Sequence, residues 1–264
     1  MEQIFALFFI GGIVLLIMFT LTWMLQLKTK NAGIVDTIWA SSFPVLVIIY
    51  FVRHHGYLPR EVMIIAMVMT WGLRLASYLF FRSIRKAEDP RYTALRQQWG
   101  EKQNILMLRF FYFQAMLALV LSLPFALMMV NTQPGIKRIE FIGAFVWLIG
   151  VVGESIADQQ LKRFKGNPAN KGKVCEAGLW RYSRHPNYFF EWIIWVAYFI
   201  TALGSPWGYL SIICPLVMLY FLLRVTGIPY TESQLLKSRG QAYVAYQETT
   251  SAFIPLPRRK SPTR

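Results

Sequence analysis

The sequence predicts an all-α integral membrane protein of about seven transmembrane helices, and three observations carry that prediction. Of the 264 residues, 55% are hydrophobic and 16% aromatic, with a mean hydropathy of +0.39, which is too apolar for an ordinary soluble domain. The apolar residues come in long runs, and a hydrocarbon core about 30 Å thick needs roughly 20 of them per helix. The Lys and Arg residues gather in alternate inter-span segments, as membrane topology demands. A large soluble α-domain with buried helices is the alternative that these runs argue against.

The spans fall at about 3–27, 34–52, 61–82, 105–130, 138–157, 188–203 and 207–225. The first differs from a cleaved signal peptide. It has no basic start, Glu2 being its only early charge, it is too long, and it lacks a clear small-residue cleavage site. The last two are short and separated by Gly204-Ser205-Pro206, as in a tilted pair or a tight helical hairpin.

With Met1 outside, the cytoplasmic segments 28–33, 83–104, 158–187 and 226–264 hold twenty Lys/Arg, against four (Arg53, Arg60, Lys137 and Arg138) on the other side. The expected orientation is N-out and C-in. The formal charge of +15 then serves orientation and lipid headgroups rather than nucleic acid. Within 83–104, Asp89-Pro90 reads as a helix start and Gly100 as its end. Segment 158–187 is broken by Gly166, Pro168, Gly172 and Gly178 and reads as a loop. The stretch TESQLLKSRGQAYVAYQ reads as helical, and 256–264 as a basic disordered tail whose RRK at 258–260 meets headgroups.

Cys175 and Cys214 form no disulfide framework, and no His/Cys/carboxylate set has zinc spacing. His54-His55 is an isolated pair. Ionisable residues inside spans are costly and mark wet cavities or sites. Asp36, Arg74, Arg82, Arg109, Glu154, Asp158, Glu191 and Arg224 all fall toward the cytoplasmic ends, with Glu61 the exception at the outer boundary. Arg74, Tyr78 and Arg82, four apart, share one helix face. The expectation is a polar cavity open to the cytoplasm, with snorkelling as the bland account of Arg82, Arg109 and Arg224. Phe80-Phe81, the aromatic run 110–113, Trp23, Trp147 and Trp195 read as packing or interface residues.

The stretch GLWRYSRHPNYFFEW (178–192) places Gly178, Leu179, Trp180, Tyr182, Arg184, His185, Pro186, Asn187, Tyr188 and Glu191 before an apolar segment. It resembles the carboxy-terminal signature of the steroid 5α-reductases and sterol C14-reductases. Glu232, Tyr243, Tyr246 and Phe253-Ile254-Pro255 resemble that superfamily's tail, and Asp158, Lys162 and Lys165 its acid-then-basic segment. VDTIW (35–39) and WGLRLASYLFFR (71–82) resemble an uncharacterised bacterial branch of the reductases. The resemblance implies a bacterial inner-membrane protein with a cytoplasm-facing NADPH pocket. Residues 1–135 would supply substrate-side helices and 136–255 cofactor-binding helices and loops of a single membrane domain.

The resemblance assigns Lys162, Lys165, Arg181 and Arg184 to phosphates, which suit Arg/Lys donors. Asn187, Tyr188 and Glu191 would orient the nicotinamide or ribose, an amide being able to donate and accept at once. Asp158, Trp180, Tyr182, Arg224, Glu232, Tyr243 and Tyr246 complete the cofactor set, and His185 is a candidate acid or a hydrogen-bonding spacer. No GxGxxG fingerprint is present. Isoprenylcysteine and phospholipid methyltransferases carry a similar Arg-His-Pro-x-Tyr and tail, so S-adenosylmethionine is the competing cofactor. The Asn of Pro-Asn-Tyr, the Asp158 segment and the Arg74/Tyr78/Arg85 spacing favour the reductase.

There is one departure from the family pattern. Trp71 stands where the reductases have a tyrosine that polarises the substrate ketone, and Asp36-Thr37 where they have its glutamate partner. A Trp N–H donates a hydrogen bond but transfers no useful proton, so a different acid is needed; Tyr78 is one candidate and Asp36 another, with pairing to Arg74 or Arg82 as the structural account of Asp36. Arg74 joins these as a catalytic candidate, and Trp39, Trp71 and Glu154 as substrate contacts. The expected reaction is reduction of an activated C=C bond in a steroid, isoprenoid, unsaturated lipid or quinone-like molecule entering from the bilayer. A transporter or other non-enzymatic membrane protein is the remaining class.

Overall fold

A computed structural model of the protein describes residues 2–83 and 87–259. Arg85 and Lys86 therefore lie outside the described residues, as does the tail from Lys260. Among the described residues the chain is helical. Their β-structure is limited to an isolated parallel bridge between Ser183 and Ser251. Six helical segments among the described residues are long and apolar enough to cross a membrane, which makes this a multi-pass membrane protein by length and composition. The chain divides into two compact units: 1–137 with 202–209, and 138–201 with 210–264.

The first unit holds α1 (Glu2–Thr29), α2 (Ile34–Arg53), α3 (Leu58–Ser83), α4 (Pro90–Trp99), α5 (Gln103–Leu121) and α6 (Leu123–Met129). Its core runs through Phe43, Trp71 and Phe125, with Phe43 5.2 Å from the Trp71 ring and 6.3 Å from the Phe125 ring. A Cβ on Gly72 would meet Pro44 at 2.6 Å, so glycine there lets α3 lie against the proline-bearing stretch of α2. The predicted 105–130 span is two helices, since Ser122 and Pro124 interrupt the ladder. The interruption is tied down where the Tyr50 hydroxyl lies 2.8 Å from Ser122 Oγ.

α4 begins as its sequence predicts. Asp89 accepts from the Arg91 N–H at 2.9 Å, Pro90 follows, and Gly100 ends the helix at φ +51°. At the opposite end of α3, Arg60 is fully buried and donates to the carbonyls of Asn131, Gln133 and Gly135. Glu61 accepts from the Gly56 N–H at 2.6 Å, and Lys137 Nζ donates to Gly204 O at 2.7 Å. These charges are consumed by backbone groups of the turns at this end.

The second unit holds α7 (Arg138–Gly166), α8 (Pro186–Ala202), α9 (Ile213–Tyr220), α10 (Ile228–Arg239) and α11 (Gln241–Thr249). α7 corrects the loop expected from residue 158. The run DQQLKRFK contains good helix formers and no breaker, so the helix continues to Gly166 before Asn167-Pro168 stops it. α8 has 17 residues, about 26 Å at 1.5 Å per residue, and is not among the six long apolar segments. After α9 the chain passes through a π-helical turn, Phe221–Val225. Gly240, at φ +54°, splits the helical tail into α10 and α11.

Candidate functional site

In the second unit the arginine-histidine motif sits between α7 and α8 and is organised by the carboxy-terminal segment. The short helix Gly178–Arg181 presents Trp180, whose indole N–H donates to Ala157 O on α7 at 2.9 Å. Arg184 is 11% exposed at its side chain. Its guanidinium donates to Glu232 Oε1 at 2.7 Å, Gln247 O at 3.0 Å and Thr250 O at 2.6 Å. Arg184 N–H donates to Ser251 O, Ser183 Oγ to Phe253 O, and the Tyr246 hydroxyl to the carbonyls of Trp180 and Ser183.

Glu232 on α10 is the hub of this network. Besides Arg184 it accepts from Gln247 Nε2 at 2.8 Å and Tyr243 OH at 3.4 Å, and lies 3.2 Å from His185 Nε2. Burial pushes the His185 imidazole below the usual histidine range, and this outweighs the upward pull of Glu232. A neutral imidazole with its proton on Nε2 satisfies that contact as a donor. The His185 ring stacks on Tyr188 at 5.3 Å, and Tyr188 OH lies 3.1 Å from Thr231 Oγ1. These distances make Arg184, His185, Glu232, Tyr243 and Tyr246 a scaffold that shapes the loop.

The chemistry left to the outside lies at the end of α7. Asn187 Nδ2 is 3.4 Å from Asp158 Oδ1, so the acid-then-basic segment and the Pro-Asn-Tyr motif are neighbours. Glu154, Asp158, Lys162 and Lys165 follow one helix face at three- and four-residue steps. Glu154 and Asp158 are buried, whereas Lys162, Lys165 and Arg181 are exposed. Glu191 is buried one turn into α8 and accepts from Trp195 Nε1 at 2.9 Å. Arg224 lies in the π-helical turn, and Tyr182 is 45% exposed.

The first unit carries Asp36, Trp39, Trp71, Arg74 and Tyr78. Asp36 accepts from Arg91 Nη2 and from the Tyr92 hydroxyl, both at 2.6 Å, so its partners come from α4. Trp39 packs edge-on against Phe43 at 4.9 Å, and its indole nitrogen is buried without a hydrogen-bond partner. Trp71 is fully buried. Asp36, Arg82 and Asp89 border a polar cavity of about 190 Å³.

Two contributors were not anticipated by sequence reasoning. One is the α4 cluster. There Glu88 accepts from the Ala32 N–H at 2.6 Å and from Arg96, which in turn donates to Gln26 Oε1 at 2.6 Å. The sequence marked the start of this helix at Asp89-Pro90 and its end at Gly100, but not these partners. The other is residues 256–259, where Leu256 N–H donates to Tyr182 O at 3.0 Å and Arg259 N–H to Thr249 O at 2.9 Å. Arg258 pairs with Glu176 and stands 5.9 Å from the Tyr246 ring centre. These residues are docked where a headgroup-binding, disordered tail was expected.

A helical membrane fold with a polar motif loop at one helix end is the class that this geometry defines. The family model described as "Protein of unknown function (DUF1295)" matches residues 22–250, and the chain belongs to that family. It is 27% identical to an uncharacterised protein, C594.04c, of Schizosaccharomyces pombe, over 73% of this chain and 64% of that relative. A probable O-methyltransferase, ustE, of Ustilaginoidea virens is 44% identical over 46 residues, 17% of this chain and 16% of that protein. The chain thus spans less than two thirds of either relative. No solved structure matches.

Proposed function

We propose that the protein is an NADPH-dependent reductase of an activated C=C bond in a lipid-soluble substrate, with its cofactor held by the second unit. The observation that carries this reading is the contact between Asn187 and Asp158. It joins two separate stretches of sequence that the resemblance to steroid 5α-reductases assigns to one cofactor pocket. The donor set fits the group. Exposed Lys162, Lys165 and Arg181 suit phosphates, and the Asn187 amide suits a carboxamide. When bound, NADPH supplies a hydride.

The chain's residues bind, orient and hold protons. Lys162, Lys165 and Arg181 neutralise phosphate charge, and Asp158 fixes the Asn187 amide. Glu232 holds Arg184 and His185, so these two shape the loop rather than meet phosphate. Tyr78 is the proton donor we favour. Both oxygens of Asp36 are already engaged, one by the Arg91 guanidinium and one by the Tyr92 phenol, which gives this side chain a scaffold role. We further infer N-out, C-in insertion with α8 as a short seventh span, from the distribution of Lys and Arg. That topology puts the motif loop in the cytoplasm.

A specific observation also favours a second reading, an S-adenosylmethionine-dependent methyltransferase: the stretch shared with the probable O-methyltransferase. A thermal-shift assay on detergent-purified protein separates the two, because a ligand that binds the native state raises its melting temperature with dose. The expected result is a rise with NADPH and none with S-adenosylmethionine. A rise with S-adenosylmethionine alone overturns the reductase.

A further inference from the structure

α7 has two chemically opposite faces. At about 100° per residue, Glu154, Asp158, Lys162 and Lys165 fall on one side. Ile149, Val152, Ile156, Gln160 and Arg163 fall on the other. On this second side, Ile149, Val152 and Ile156 are 46%, 48% and 43% exposed and wall an open, apolar groove of about 450 Å³, with Phe190 of α8 across from them. Gly153 makes the trough possible. A Cβ there would sit 2.4 Å from the Phe190 ring, so only glycine lets that ring lie on the α7 backbone.

The groove has a polar end. Gln160 borders it, and its Oε1 accepts from the Leu179 N–H at 2.9 Å. One turn further along the same face, in the basic last turn of α7, stands the exposed Arg163. From Ile149 to Gln160 the helix rises about 16 Å, close to half of a hydrocarbon core about 30 Å thick. The trough therefore has the length of one leaflet, apolar along its run and cationic at its mouth.

We propose that this groove binds one acyl chain of an anionic bilayer phospholipid, with the phosphate met by Arg163 and the amide of Gln160. The charge at the mouth selects the anionic headgroup, and the exposed aliphatic wall gains by dispersion and burial against a chain. The groove lies on the face of α7 opposite Glu154 and Asp158, so its occupant is a structural lipid and not the reacting molecule. The inference rests on membrane embedding and not on the redox reading. Because Gln160 also holds the Gly178–Arg181 turn, an ordered headgroup there steadies the turn that carries Trp180.

Native mass spectrometry of the full chain, released from mild detergent with phosphatidylglycerol and phosphatidylcholine of matched chains, tests this. Wild type is expected to keep one phosphatidylglycerol in preference to phosphatidylcholine. Ile156→Trp, which fills the trough from its exposed wall, abolishes the adduct. Arg163→Gln keeps a lipid but loses about fivefold of the headgroup preference. An unchanged adduct in Ile156→Trp, no headgroup preference in wild type, or a dimer that Ile156→Trp disperses would each overturn the proposal. Should Ile156→Trp not fold, Arg163→Gln decides the matter alone through its headgroup preference.

Discussion

Arg184 Nε lies 2.7 Å from Glu232 Oε1, and the two side chains are only 11% and 15% exposed. The same guanidinium holds the carbonyls of Gln247 and Thr250, so one arginine fastens the motif loop to both the α10 carboxylate and the end of α11. Removing one member leaves the other charge buried and uncompensated. Arg184→Ala is expected to cost about 3 kcal/mol, measured as lost resistance to denaturant in detergent. The double variant Arg184→Ala/Glu232→Ala should lose less than the sum of the singles. Additive losses would show that the pair is not coupled.

His185 gives the unit a pH dependence. Burial holds its folded pKa below the ordinary 6.5, so the unfolded chain takes up the proton first as pH falls. The contribution is therefore fully present above about pH 6.5 and is lost as pH drops toward the lower folded value. Melting temperature measured between pH 7.5 and 5 should decline over that window. The profile of His185→Gln should be flatter there.

Asn187→Ala removes the amide beside Asp158 while leaving the Arg184–Glu232 network intact. NADPH affinity is expected to fall about tenfold, the effect of losing one or two good hydrogen bonds, with melting of the unliganded protein little changed. An unchanged dissociation constant would count heavily against the cofactor assignment.

Gly143 faces Thr201 across the α7–α8 contact. A Cβ there would lie 2.2 Å from Thr201 Oγ1 and 2.6 Å from its backbone nitrogen. Gly143→Ala should therefore cost about 1–3 kcal/mol through overpacking. Adding Thr201→Ala should restore only part of the loss, because the backbone clash remains. Thermal unfolding of the three variants gives the answer.

On the proposed reductase reading, substitutions at Asp36 and Tyr78 should separate scaffold from chemistry on the first unit. Asp36→Asn weakens the link to Arg91 and is expected to cost roughly 1 kcal/mol. It should spare turnover once a reducible lipid is in hand. Tyr78→Phe should do the reverse, keeping stability and losing turnover. Loss of turnover in Asp36→Asn with unchanged melting would return the proton to Asp36.

The helices were legible wherever a local signal sufficed. Apolar run length located α1, α2 and α3, and Asp89-Pro90 with Gly100 delimited α4. α7 outran its apolar stretch because helix propensity continues through polar residues up to Gly166, and a hydropathy reading ends nine residues earlier at 157. The motif residues were legible as a group. Their division into scaffold and donors was not, since Arg184 draws its partners from positions 48 to 66 residues later. Asp36 found Arg91 and Tyr92 on a helix whose ends the sequence marks but whose partners it does not.

The sequence by itself determined that this is a helical membrane protein, and it marked the stretches that carry polar chemistry. Chain length, apolar runs and turn residues are local quantities, and the cost of exposing backbone to lipid leaves helices as the solution. Tertiary structure alone decided which charges are consumed internally, as with Arg60 at its turn and Arg184 at Glu232. It also decided which are left facing outward, as with Lys162 and Arg181. That choice depends on which groups meet once the helices pack, because a buried charge must find its partner wherever in the chain that partner lies.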